Sequence, residues 1–356
     1  TWVVDLNGSI VEVALDSGSV TAGGHDAPFH ELELELKDGR PTALFEFAHT
    51  LGRAVPLHVG VLSKEKRGLM LAEDELGHEQ KASVVDISRK MDVGQVFVML
   101  FHECVRHFRL NEALIIEQRD PGALHQARVA IRRLRTAFTL FAPAIHKGSL
   151  KPLRKELRLF VALFGDARNL DVFLAAHGHE LRAGDRRRVT AARAKAYDRL
   201  IETLKAQSSR DLLLNLVEWT VSGDWRKRAA SAPIESFAAR RFNAAWRKVK
   251  RNCKGLRSLD DQHLHGLRIS IKKLRYAVDF LAPLYAKKRV RKFASALEEV
   301  QDCLGLIHDD VIDRQIVGAF DLGAGDLTGL NDRSRQLQTI AKEFRHLKRA
   351  GRFWTS

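Results

Sequence analysis

The chain has 356 residues, 45% of them hydrophobic, and a formal net charge of +15. That length points to two or more domains, and that charge to a polyanionic partner. The longest apolar run, Val96 to Phe101, is far short of the roughly 20 residues a membrane span needs, and Cys104, Cys253 and Cys303 are too scattered for a disulfide framework or a zinc site, which fits a reducing cytoplasm.

Charge is unevenly placed. Residues 1–83 hold 7 Lys and Arg against 14 Asp and Glu, and the remainder holds 52 against 30, an acidic head before a basic body. The head reads as strands: Trp2 to Leu6 and Ile10 to Leu15 flank Asn7-Gly8, a hairpin signal, and Asp16 to Ser19 is a second turn. From Glu31 to Leu36 the alternation is strict, with Glu31, Glu33 and Glu35 on one face and Leu32, Leu34 and Leu36 on the other. A short helix is expected from Thr42, its cap, to Gly52, and a polar linker from Gly77 to Ser83. From Val84 onward the period is helical, with helices predicted near 94–118, 122–142, 150–164, 187–206, 235–254, 262–284, 288–304 and 330–348.

The body repeats itself. His125-Gln-Ala-Arg128-Val-Ala-Ile-Arg132-Arg133-Leu-Arg135 is matched 140 residues later by His265-Gly-Leu-Arg268-Ile-Ser-Ile-Lys272-Lys273-Leu-Arg275. The match continues through Phe141-Ala-Pro143 and Leu281-Ala-Pro283, then loosely through Leu153-Arg154-Lys155 and Val290-Arg291-Lys292, which needs a small gap. It ends in Phe164-Gly165 with Leu304-Gly305, and in Asp171-Val172 with Asp310-Val311 one residue out of step. Two similar helical bundles in tandem follow.

On a wheel of about 100° per residue, His125, Arg128, Arg132 and Arg135 share one side of the first repeated helix. Ala127, Ile131, Leu134, Phe138 and Phe141 share the other, and Leu267, Ile271, Leu274, Val278 and Leu281 do the same in the second copy. No Asp or Glu lies between Leu124 and Ala142. Like charges one turn apart repel by a few tenths of a kcal/mol per pair, and a bound anion relieves this while accepting charge-assisted hydrogen bonds. Two such helices lining opposite walls of one groove suit a long, symmetric ligand, and guanidinium forks suit phosphate oxygens; charge alone leaves nucleic acid, acidic lipid and polyphosphate open. Aromatic residues make up only 7% of the chain, with little beyond Tyr276 near the basic faces, which speaks against nucleic-acid base stacking. His177-Gly-His179 has a metal-like spacing whose close partner is Glu180 alone.

The duplicated motif resembles the CHAD domain, the conserved-histidine α-helical domain. The resemblance covers about residues 90–350 of a helical region spanning 85–350, with repeats at about 90–210 and 230–350. It implies a mainly α fold of two pseudo-symmetric four-helix bundles after a small antiparallel β-rich segment, with a basic channel that binds polyphosphate. Carried over by position, the lining comprises His125, Arg128, Arg132, Arg133 and Arg135 from the first copy. The second copy gives His265, Arg268, Lys272, Lys273 and Arg275. Arg154, Lys155, Arg291 and Lys292 are further candidates. The second copy departs from the first in Lys272 and Lys273, which keep charge but lose bidentate geometry.

Residues 1–78 resemble the C-terminal part of a CYTH domain, the triphosphate tunnel fold. The resemblance rests on Glu31 to Gly39, Leu57 and Ser63-Lys64-x-x-Arg67-Gly68. It implies Mg²⁺ or Mn²⁺ on Glu31, Glu33 and Glu35, and triphosphate on Lys37, Lys64 and Arg67. The family's N-terminal E-x-E-x-K strand has no counterpart, so hydrolase activity is expected only where the missing half is supplied. The expectations are thus polyphosphate binding in the cytoplasm, at polyphosphate granules, with metal-dependent triphosphate hydrolysis as the first alternative and nucleic-acid binding as the second.

Overall fold

The computed structural model describes residues 1–145, 147–226, 233–322 and 333–355. Asn7 and Gly8 adopt positive φ, 55° and 80°, and close a two-residue turn across which Leu6 and Ser9 exchange backbone hydrogen bonds of 2.8 and 3.3 Å. The turn joins β1 (Trp2–Asp5) to β2 (Ile10–Ala22), and β2 pairs with β3 (His25–Asp38), so the antiparallel order is β1-β2-β3. The second turn lies later than the sequence predicts. β2 runs straight through Asp16 to Ser19 on its ladder with β3 and reverses at Gly23 and Gly24, whose φ of 61° and 79° give the left-handed backbone a tight hairpin needs.

In β3, Leu32, Leu34 and Leu36 are half-buried while Glu33 and Glu35 are exposed. α1 (Thr42–Ala54) starts after Pro41, so Thr42 is its first helical residue and not its cap. α2 (Lys64–Ala72) was not predicted; Ser63 caps it, its Oγ accepting from the Lys66 amide at 3.1 Å.

The helical body opens with α3 (Val93–Gln118), begun by a capping box between Asp92 and Gln95 and stopped at Arg119, φ 53°. α4 (Pro121–Leu140), α5 (Lys147–His177), α6 (Ala183–Lys205) and α7 (Gln207–Ser222) complete the first repeat. The second is α8 (Ile234–Asn252), α9 (Asp261–Leu281), α10 (Lys287–Ala319) and α11 (Arg333–Ala350). The predicted starts at 230 and at 330–332 lie outside the described residues. α7 is an extra helix that the periodicity did not separate, and it delivers Trp219 against Phe97 and Phe138 in the first core.

The offset of 140 holds in three dimensions. α4 and α9 begin 140 residues apart behind the matching caps Asp120 and Asp260, and α5 and α10 begin 140 residues apart as well. Buried Leu157, Phe160, Phe164 and Ala167 correspond at that spacing to buried Leu297, Val300, Leu304 and Ile307. The gapped match of Arg154-Lys155 to Arg291-Lys292 is therefore corrected: those residues sit at different heights on the two helices. Both helices also run on past the predicted ends at 164 and 304, because Gly165 and Gly305 lie inside unbroken helix.

Every predicted apolar residue of the two motif helices is buried. Each large one contributes about 1.5–3 kcal/mol by leaving water. The repeats meet through α4 on α9, α5 on α10 and α3 on α8. The head docks on the first repeat through α1 on α7, with His49 Nδ1 3.3 Å from Asp211 and Arg109 Nε donating to the Val59 carbonyl at 3.1 Å. The predicted linker is pinned rather than loose: the Gln80 amide donates to Asn111 Oδ1 at 3.0 Å, and Asn111 Nδ2 returns a 2.9 Å bond to the Gln80 carbonyl.

Candidate anion-binding site

The basic rows of α4 and α9 meet where these helices cross, and α5 and α10 close the other side. Between the four helices lies a cavity of about 320 Å³. α4 supplies His125, Arg128 and Arg132, and α9 supplies Arg268, Lys272 and Arg275. Arg168 and Asn169 come from α5, and Gln301, His308, Asp309 and Asp313 from α10. Cavities of about 530 and 350 Å³ adjoin it. The first shares Arg168 and Val172, and the second shares Arg268, His308 and Ile312 and adds His265.

Two of the cations are oriented by neutral neighbours. Arg128 Nη1 donates to the carbonyls of Phe164 and Gly165 at 2.8 and 3.3 Å, which ties α4 to α5. Arg132 Nε donates to the hydroxyl of Tyr276, whose ring lies 5.5 Å from both the Arg132 and the Arg275 guanidinium carbons. Arg275 has an acid, Glu298, at 3.8 Å. Arg268 Nε is buried with no hydrogen-bond partner among the described residues.

Crowding shows in the ionisation of the group. Burial and the nearby Arg132 and Arg268 bring Lys272 down to about 7, from an ordinary value near 10.5. Burial, with Arg168, Arg132 and Arg128 beside it, holds His125 at about 4, and burial with Arg268 does the same for His308. Both rings are therefore neutral at pH 7 in the free protein. Burial also raises Asp309 and Asp313, and Asp313 is bonded to His177 Nε2 at 3.2 Å.

The remaining carried-over residues lie elsewhere. Arg133 is buried, 4.8 Å from the centre of the Phe280 ring and 3.9 Å from Asp279, because it stands on the other side of α4 from Arg135. Arg135 and Lys273 face Arg154 in a second basic cluster that also holds Arg158 and Lys248. Lys155, Arg291 and Lys292 are exposed. His177 joins α5 to Glu180 and Asp313. Sequence reasoning missed Arg168, Asn169, Gln301, His308, Asp309 and Asp313. The signal was present, since the offset of 140 continues from Phe164 and Leu304 to Arg168 and His308.

In the head, each proposed phosphate clamp holds a proposed metal ligand. Lys37 lies 2.9 Å from Glu35 and 3.4 Å from Glu12, Lys64 contacts Asp16 and Glu33, and Arg67 lies 3.1 Å from Glu31. The three glutamates are spread along β3 and do not converge. Among the described residues, the acids and histidine that do are Glu299, Glu343 and His346, on α10 and α11.

The CHAD domain family profile matches residues 99–318, more than half of the chain. The chain belongs to the CHAD family. Its fold is shared with the crystal structure of the CHAD domain from the plant Ricinus communis, at a TM-score of 0.62 and 22% identity over 77% of this chain and 90% of that one. A weaker likeness, TM-score 0.46 and 15% identity over 73% and 96%, is to PptA from Streptomyces chartreusis. An inorganic triphosphatase of Haemophilus influenzae is 34% identical over 103 residues, 26% of this CHAD chain and 29% of the relative, so the chain spans under a third of that protein. No helix among the described residues is long and apolar enough to cross a membrane.

Proposed function

We propose that the CHAD region binds inorganic polyphosphate in the cavity between its two repeats. The observation that carries this is the set of five arginines and Lys272 around one space, against Asp309 and Asp313 as its acids. Guanidinium forks match phosphoryl oxygens, and the adjoining cavities on either side give a linear chain a path past Arg168 and past His265. Nucleic acid fits less well. Tyr276 is 2% exposed beneath its two arginines, which leaves no open ring for a base to stack on. The reading places the protein in the cytoplasm at polyphosphate granules. Its test is a titration with long-chain polyphosphate at two salt concentrations beside a DNA oligomer of matched charge. Tight, salt-sensitive binding that prefers polyphosphate is expected, and equal binding to both overturns it.

A second reading rests on the inorganic triphosphatase relative: metal-dependent hydrolysis of a short phosphoanhydride by the head. Mg²⁺ or Mn²⁺ prefers oxygen donors such as Glu31, Glu33 and Glu35, but these are separate partners of Arg67, Lys64 and Lys37 and do not form a converging donor set. Phosphate release from triphosphate with Mg²⁺ is expected to stay at background; release that is lost in Glu31→Gln and Glu33→Gln would raise this reading above the first.

A further inference from the structure

Two equivalent positions of the cavity lining differ in chemistry although their backbones are in step. At the offset of 140, Asn169 on α5 corresponds to Asp309 on α10, and both line the cavity. The amide of Asn169 donates and accepts, whereas an ionised carboxylate only accepts. Asp309 is exposed to the cavity and has no hydrogen bond or ion pair among the described residues. Its neighbours are committed: Asp313 to His177 at 3.2 Å, and Asp310 to Gln336 at 2.8 Å. An uncommitted carboxylate in a phosphate cavity repels the ligand unless a proton lies between the two.

Linear polyphosphate offers that proton in one place. Its internal groups have a single acidic hydroxyl each and are ionised at neutral pH. A terminal group keeps a second hydroxyl of the phosphomonoester kind, which ionises near pH 6 to 7. We propose that Asp309 recognises the terminal phosphoryl group of a polyphosphate chain by accepting its remaining P–OH, while the surrounding arginines hold the ionised oxygens. This rests on the polyphosphate reading above. The chain then leaves past Asn169 and Arg168 toward the larger neighbouring cavity at Arg193. Burial, with Asp313 and Asp310 nearby, raises Asp309 itself, so the same proton is shared from either side.

The test compares two polyphosphate preparations of equal length at pH 7, one with free ends and one with both ends capped as alkyl esters. The wild-type protein is expected to bind the free-ended chain about tenfold more tightly, the range of one charge-assisted hydrogen bond. Asp309→Asn makes the two equivalent positions alike. It is expected to bind both preparations equally, and the capped one more tightly than wild type does, because a negative charge has gone. Equal binding of the two preparations by wild type, or a preference that survives in Asp309→Asn, overturns the proposal. Failure of wild type to bind either preparation overturns the polyphosphate reading itself.

Discussion

The head and the cavity hold the same kinds of side chain in opposite states. On the sheet, Lys37, Lys64 and Arg67 each lie against a carboxylate of the same chain. In the cavity, Arg128, Arg132, Arg168, Arg268 and Lys272 have no acid within ion-pair distance among the described residues; Arg128 is steadied by two carbonyls and Arg132 by a phenol. The first arrangement is complete as it stands. The second crowds positive charge in a confined space, which together with burial depresses Lys272, and on the proposed function that charge is what the ligand neutralises.

The largest effect expected from this contrast is charge reversal. Arg132→Glu with Lys272→Glu should weaken polyphosphate binding at least about 100-fold by titration, while Lys64→Glu with Arg67→Glu should leave it within about twofold. Comparable losses from both pairs would erase the distinction. Next is salt: log K against log salt should fall with a slope near −4, of the order expected for six cations on a single-stranded polyanion, and Arg132→Gln with Lys272→Gln should flatten it by about 1.4.

A smaller effect is that of pH. Lys272 is charged below about 7 and an anion favours that form, so binding takes up a proton and affinity falls as pH rises above 7. Lys272→Arg should remove this slope, as a side chain that stays charged. Stability runs the other way. The unfolded chain binds the Lys272 proton up to about pH 10.5 while the folded one releases it near 7, so this residue's contribution to stability rises with pH between those values. Lys272→Met should therefore raise the melting temperature by a few degrees at pH 7 while weakening binding. The smallest effect belongs to the sheet: Arg67→Ala, which breaks a partly exposed pair with Glu31, should cost no more than about 1 kcal/mol in denaturant unfolding.

Much of this was legible in the sequence where periodicity and duplication reinforced each other. The two motif helices, their buried stripes and six of the cavity's side chains follow from one pattern written twice. The far wall was not found, because Gly165 and Gly305 read as helix ends and hid the continuation to Arg168 and Asp309. A glycine inside a long helix costs only about 1 kcal/mol, which packing on both sides overrides. Arg133 shows the opposite error: adjacency to Arg132 in sequence places it about 100° away on the helix, over the Phe280 ring. The Asp16–Ser19 turn failed because turn-forming residues were weighed without the ladder that β3 imposes on them.

Those same long helices bear on how a chain bound as proposed would exchange. α5 and α10 have 31 and 33 residues, so each is roughly 45–50 Å long at 1.5 Å per residue and runs past the cavity as continuous helix, α5 with Pro152 in its N-terminal part. Under the polyphosphate reading, such walls would favour endwise entry and departure of the chain over swinging apart. Residence time would then grow with the number of phosphates that must slide through, even where affinity has stopped rising, and dissociation rates measured for chains of increasing length would show it.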